Sequence, residues 1–200
     1  MTGFVFFGLA WVGWIYSTFI LEKTSPYRFP IAASLLVTII LSVFKIRFLE
    51  LDISLAALFL FSISLFKFTK LPFWNLLYCT IGVFIVSIAT AVFNLMSLYD
   101  PVWIFIDQQI LLSFLVTCLT VLLFKEYKVR IFSTIIGLIQ GDFLYAVILK
   151  KFSINFLIGR FAFLDGLALT CVFITIWSGF EYLQTTFEHK EFQQKKEKQL

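Results

Sequence analysis

The sequence predicts an all-α, polytopic transmembrane helix bundle of about seven spans, and three observations lead there. Apolar residues make up 60% of the chain and mean hydropathy is +0.96, more than a soluble domain carries. Charged residues make up only 14%, gathered in short patches between long uncharged runs. Several of those runs approach the ~20 apolar residues needed to cross ~30 Å of hydrocarbon. No segment alternates with the period of two that an outer-membrane barrel requires, so strands are not expected. With 27 Phe, the surface offered to lipid is bulky as well as apolar.

The first run, 3–21, ends at Glu22 and Lys23 and carries Trp11, Trp14 and Tyr16 toward its far end, where amphipathic rings prefer the interface. It has neither a basic n-region nor a small-residue cleavage site, so it is expected to stay attached. Thr24, Ser25 and Pro26 make the turn and Arg28 anchors it. Pro30 falls in a first helical turn, where its missing N–H is tolerated. Runs 29–44 and 51–66 are short. Lys45 and Arg47 can snorkel and let the second helix continue toward Leu49, with Glu50 and Asp52 marking the turn. Lys67 and Lys70 close the third run, and Pro72 opens the fourth, 73–98, which is uncharged and long enough to tilt.

Asp100 and Pro101 form a tight connection to the fifth run, 102–124, whose opening turns hold Asp107, Gln108 and Gln109. Lys125, Glu126, Lys128 and Arg130 read as a cationic loop. The sixth run, 131–149, ends at Lys150 and Lys151; 152–159 reads as interfacial, and 161–183 is the seventh run. Residues 1–183 thus form the bundle and 184–200 a polar tail holding His189, Lys190, Lys195, Lys196 and Lys198. That tail is a solvated helix end, or a surface for anionic lipid or a cytoplasmic partner.

Lys and Arg set the orientation. The connections after spans one, three, five and seven carry 11 of them and the opposite side carries 5. The excess puts the amino terminus outside and the carboxyl terminus in the cytoplasm.

Orientation turns scattered polar residues into a candidate site. At ~1.5 Å per residue, Asp107 and Asp165 lie about 7 Å below the outer surface and Asp142 about 12 Å. Gln108, Gln109, Gln140 and Asn155 can join them, with Arg160 as the nearby cation. The sharper reading is a polar, outward-facing cavity between spans five, six and seven, with Asp142 deepest and Arg160 paired with Asp165 or Asp107. A mid-span acid is costly and marks a functional or helix-locking position. The plainer reading makes Asp107 a cap in the first turn of its helix and Asp165 with Arg160 a structural ion pair. Gly137 and Gly141, four apart beside Asp142, offer a face for close helix packing.

Other function classes are poorly supplied. His189 lies in the tail, so no intramembrane Ser-His or Cys-His pair can be built. Cys79, Cys118 and Cys171 stand alone in apolar runs and read as buried thiols rather than metal ligands or a disulfide framework. No phosphate loop or dinucleotide fingerprint is present, so neither metal nor cofactor is expected and the chain reads as non-enzymatic. The formal net charge of +4 comes from cations flanking apolar runs. The partner is therefore the lipid bilayer and not nucleic acid.

The opening Gly3-Phe4-Val5-Phe6-Phe7-Gly8-Leu9-Ala10-Trp11-Val12-Gly13-Trp14, the Phe-rich spans and the basic-acidic tail resemble the YphA-type family of small membrane proteins from spore-forming Gram-positive bacteria. The resemblance covers essentially the whole chain. It implies a cell-membrane protein with a role in cell or spore envelope assembly, working with an envelope-assembly protein partner, and it supplies no catalytic residues. The alternative, carried by the polar residues of spans five to seven, is a small-solute transporter or substrate-binding membrane subunit.

Overall fold

The computed structural model describes residues 3–23, 25, 26, 28–48, 51–100, 102 and 106–197, with the side chains of 48 and 188–197 outside that description. Seven α-helices follow one another along these residues: α1 (Phe4–Ile15, prolonged by a π-helical turn Tyr16–Ile20), α2 (Arg28–Leu41), α3 (Leu55–Phe68), α4 (Phe73–Tyr99), α5 (Gln108–Leu123), α6 (Tyr127–Lys151) and α7 (Phe161–Glu197). α4, α6 and the 161–187 part of α7 are long and apolar enough to cross a membrane; the other four helices are shorter. At ~1.5 Å per residue a 14-residue helix such as α2 or α3 is about 21 Å long.

Close contacts fix the helix directions. Gly137 and Gly141 of α6 lie against Val86 and Thr90 of α4, so these two helices run parallel. Gly3 meets Phe161, Gly166 meets Gln109, and Gly159 meets Ala57. The starts of α1, α3, α5 and α7 therefore gather at one end of the bundle, together with the ends of α4 and α6. Successive helices alternate in direction. Among the described residues the α4–α6 contact is the most extensive between two helices, and it is built from small side chains. Val86, Ser87 and Thr90 are all buried on α4, facing the two glycines of α6. Missing side chains let the backbones approach, which gives dispersion contacts where lipid offers no hydrophobic drive. Phe6, Val86, Leu112, Val116, Leu138 and Leu164 join α1, α4, α5, α6 and α7 in one apolar core. Many aromatic and aliphatic side chains point outward, among them Phe4, Phe29, Trp74 and Leu122.

Several boundaries differ from the sequence reading: α5 begins at Gln108 rather than at 102, α6 at Tyr127 rather than at 131, and the connection between α2 and α3 is built differently. Helix two does not continue toward Leu49, and 51–54 does not open helix three. Instead β1 (Lys45–Phe48) and β2 (Leu51–Ser54) pair antiparallel, and β2 pairs parallel with β3 (Leu157–Ile158) in a three-stranded sheet. The physical reason is legible in hindsight: Lys45-Ile46-Arg47-Phe48 and Leu51-Asp52-Ile53-Ser54 alternate with a period of two. Arg47 and Asp52 stand directly opposite and their side chains bond at 2.9 Å. Lys45 and Arg47 thus belong to an exposed hairpin, and the strands excluded above are present, though only as a small cap on a helical protein. The turn expected at Glu50, and those at Thr24 and Pro101, lie outside the described residues.

Helix ends follow local chemistry elsewhere. Pro72 is extended (φ −61°, ψ 149°) and hands over to α4, which stops at Asp100, the residue preceding a proline in the sequence. Arg28 anchors the first turn by donating to the carbonyl of Thr18. Cys79 is buried and Cys171 partly so, whereas Cys118 is exposed on α5, contrary to the buried thiol expected there.

Candidate functional site

The candidate acids sit where the starts of α1, α5 and α7 meet the end of α6. Asp107 is the N-cap of α5, and its Oδ1 accepts the Gln109 N–H at 2.9 Å. A carboxylate there satisfies a backbone donor that the helix leaves unpaired and complements the helix dipole. The next two residues tie α5 to its neighbours. Gln108 donates through Nε2 to Ser97 Oγ at 2.7 Å and to Asn94 Oδ1 at 3.3 Å, both on α4. Gln109 lies against α7 at Gly166, where an added Cβ would come within 2.7 Å of its Oε1. Ser113 Oγ, one turn further along α5, donates to the carbonyl of that same glycine at 2.8 Å.

Asp165 is buried on the second turn of α7 and caps a different helix. Its Oδ2 accepts the Gly3 N–H at 2.6 Å and its Oδ1 accepts the Phe6 N–H at 2.7 Å. Gly3 takes φ +99°, which a side chain would rarely permit. The sequence reading paired Asp165 or Asp107 with Arg160; neither pair forms. The reason is competition: the first N–H groups of α1 and α5 have no partner inside their own helices, and the carboxylates answer those donors instead.

Asp142 is 2% exposed, deep in α6, and its Oδ2 accepts the Gly159 N–H at 2.8 Å. Gly159 adopts φ +73° and lies so close to α3 that an added Cβ would stand 2.5 Å from Ala57 Cβ. The acid therefore pins the loop between α6 and α7, and with it β3, against the start of α3. Gly141, the neighbour of Asp142, faces α4 on the other side. Gln140 is half-buried on α6 and Asn155 is exposed in the loop.

Arg160 follows Gly159 in the chain. Its guanidinium lies over the Phe156 ring, 4.8 Å from the centroid, and its Nε is buried with no hydrogen-bond partner. Phe156 in turn meets Tyr145 of α6 edge-on at 4.9 Å. The structure thus brings Asp142, Tyr145, Phe156 and Arg160 into one neighbourhood through the 152–160 loop. Asp107 and Asp165 belong to two separate helix starts.

Arg130 was missed. Sequence reading left it in a cationic loop, but α6 already begins at Tyr127 and Arg130 is 4% exposed. Its Nε donates to the Phe124 carbonyl at 2.6 Å, and its two terminal nitrogens reach Glu181 of α7 at 2.6 and 3.1 Å. Trp177 Nε1 donates to the same carboxylate at 2.9 Å. The available signal was Trp177 and Glu181 at i, i+4 on the last apolar turns of α7, a face that needs a cation. The tail residues His189, Lys190, Lys195, Lys196 and Lys198 lie outside the described side chains. Among the described residues, no three His, Cys, Asp or Glu side chains converge as metal ligands would.

Comparison with known proteins places the whole chain. The family described as YphA-like integral membrane protein matches residues 2–200. A Bacillus subtilis (strain 168) relative, named "Uncharacterized protein YphA", is 26% identical over 190 residues, which cover 95% of this chain and 94% of the relative. No solved structure matches.

Proposed function

The chain belongs to the YphA-like integral membrane protein family, and we propose that it is a non-enzymatic, multi-pass protein of the cell membrane with a role in cell or spore envelope assembly. All seven helices cross the bilayer in this reading, the short ones with help from the hairpin and loops that extend them. The amino terminus is outside and the tail cytoplasmic, as the cation excess requires. It works with an envelope-assembly protein partner, binding through a surface that the bundle holds rigid.

One observation supports a scaffold above a carrier. The two buried acids that made a solute pathway attractive, Asp142 and Asp165, both accept backbone N–H groups of other segments. Acids used this way lock chain segments together, whereas a transport site needs polar groups facing a route for the solute near midplane. The remaining polar contacts, from Gln108 to Asn94 and from Ser113 to Gly166, likewise join helix to helix.

A deletion strain tests the reading when scored both for envelope integrity, including spore resistance where spores form, and for uptake of small solutes. The scaffold reading expects an envelope defect with normal uptake, restored by the wild-type chain and by Asp142→Asn, which keeps an acceptor for Gly159. A specific uptake defect that the wild-type chain restores and Asp142→Asn does not would establish the transporter instead. Reporter fusions at the carboxyl terminus that report an external location would overturn the orientation.

A further inference from the structure

Arg160 holds an arrangement that the packing of the bundle does not explain. A guanidinium carries five N–H donors and stays charged in any protein setting. Here it makes no hydrogen bond or ion pair with the described residues, and Nε is shielded from solvent without an acceptor. Nε is sealed in, whereas the two terminal nitrogens are neither bonded nor sealed, so the outer donors of this fixed charge stand open to an acceptor from outside the chain. The neighbouring acids do not provide it. Both Asp165 oxygens are taken by α1. Asp142 accepts the Gly159 N–H, and it forms no ion pair with Arg160 among the described residues.

The surroundings select the kind of acceptor. Phe156 covers one face of the guanidinium and is itself braced by Tyr145, so bonding is confined to the edge of a pre-oriented plane. Arg160 is only half-buried, so that edge remains reachable. From 150 to 160 the chain carries Lys150, Lys151 and Arg160 and no acid. This cationic segment joins the ends of two helices long and apolar enough to cross a membrane, and cations flanking such runs favour the level of lipid phosphates. A planar fork matches the paired oxygens of a phosphate better than a single point acceptor does. We infer that Arg160, backed by Phe156, forms a binding site for a phosphoryl oxyanion at the α6–α7 rim, supplied either by a lipid headgroup or by free phosphate. The inference goes beyond the envelope reading and does not rest on it.

The test uses the full-length protein in uncharged detergent micelles with ¹⁵N-labelled arginine. The chain has four arginines, so the Nε–H signal of Arg160 can be assigned and followed. Short-chain phosphatidylglycerol and inorganic phosphate are titrated separately, with a short-chain diacylglycerol as the phosphate-free control. The site predicts a saturable shift of the Arg160 Nε–H with at least one phosphate probe and none with the control. A response to phosphatidylglycerol alone assigns the headgroup; a response to both assigns a pocket for the phosphoryl group itself. Arg160→Lys keeps the charge but loses the fork and weakens binding about tenfold, whereas Lys151→Gln weakens it less than about threefold. The inference is overturned if neither probe moves the resonance, or if Lys151→Gln weakens binding as much as Arg160→Lys. The wild-type titration decides the matter even where a variant does not fold.

Discussion

The carboxylate of Asp165 holds the first turn of α1, accepting the N–H groups of Gly3 and Phe6 at 2.6 and 2.7 Å across 162 and 159 residues of chain. Removing it leaves two donors unmet in a low-dielectric setting. Asp165→Ala is expected to destabilise the protein by about 3 kcal/mol and Asp165→Asn, which keeps one acceptor oxygen, by about half of that. Thermal unfolding in detergent reads the order. If Ala and Asn behave alike and near wild type, Asp165 does not secure α1.

Asp142 should behave differently from an acid that must ionise to work. Asp142→Asn retains an oxygen for the Gly159 N–H and should leave the fold within about 1 kcal/mol of wild type, whereas Asp142→Ala should cost about 2–3 kcal/mol. Protease cleavage within 152–160 would accelerate only in the Ala variant. Equal cleavage in both would mean that the bond to Gly159 is not what holds the loop.

Glycines at the α4–α6 contact can be ranked against glycines in open space. An added Cβ at Gly141 would lie 2.6 Å from Thr90 Cβ and 2.8 Å from the Ser87 carbonyl oxygen. Neither atom can swing aside, so Gly141→Ala should cost about 2–3 kcal/mol. Gly179 meets nothing within 4 Å on the same criterion, and Gly179→Ala should stabilise α7 by up to about 1 kcal/mol. Unfolding midpoints that do not separate the two variants would contradict the packing described.

Arg130 ties the end of α5 and the start of α6 to α7. Its side chain is 5% exposed, against 43% for its partner Glu181. Arg130→Gln should therefore cost about 2–3 kcal/mol, and Glu181→Gln distinctly less, because water can replace the lost bonds at the exposed partner. A larger loss from Glu181→Gln would reverse this assignment.

The hairpin carries the pH dependence that can be assigned outside the helices. The hydrogen bond from Arg47 and the charge of that guanidinium hold the Asp52 carboxyl below the usual carboxylate range. A carboxyl lowered on folding adds stability in full above its unfolded-state value and loses it as pH falls through the folded one. Acid, not base, should therefore loosen the β1–β2 pairing. A ¹³C titration of Asp52 should give a midpoint that rises in Arg47→Gln; an unchanged midpoint would show that the pair does not persist in solution.

Much of the fold was legible because its signal is long and repetitive. The run 73–98 maps onto α4 within one residue, and 161–183 falls inside α7. What escaped was short or depended on partners distant in sequence. The alternation in 45–48 and 51–54 covers four residues on each side and was outweighed by flanking helices that supplied plausible snorkelling lysine and arginine. Of the site, Asp107 followed the plain rule for a helix start. The partners of Asp142 and Asp165 could not be read, because a backbone N–H leaves no mark in composition. A side chain seeking an acid is visible in sequence; a main-chain donor is not. Arg130 escaped for a related reason, since a cation beside a loop looks the same whether it turns outward or inward.

The parallel pairing of β2 with β3 has a consequence for biosynthesis. When the ribosome has delivered the hairpin, the strand that will complete its sheet is still about a hundred residues from being made. The cap stays unfinished through the insertion of four further helices, and Gly3 waits longer still for Asp165. A nascent chain arrested before residue 157 should thus remain open at one end, a natural point for quality-control proteases to distinguish a finished molecule from an abandoned one.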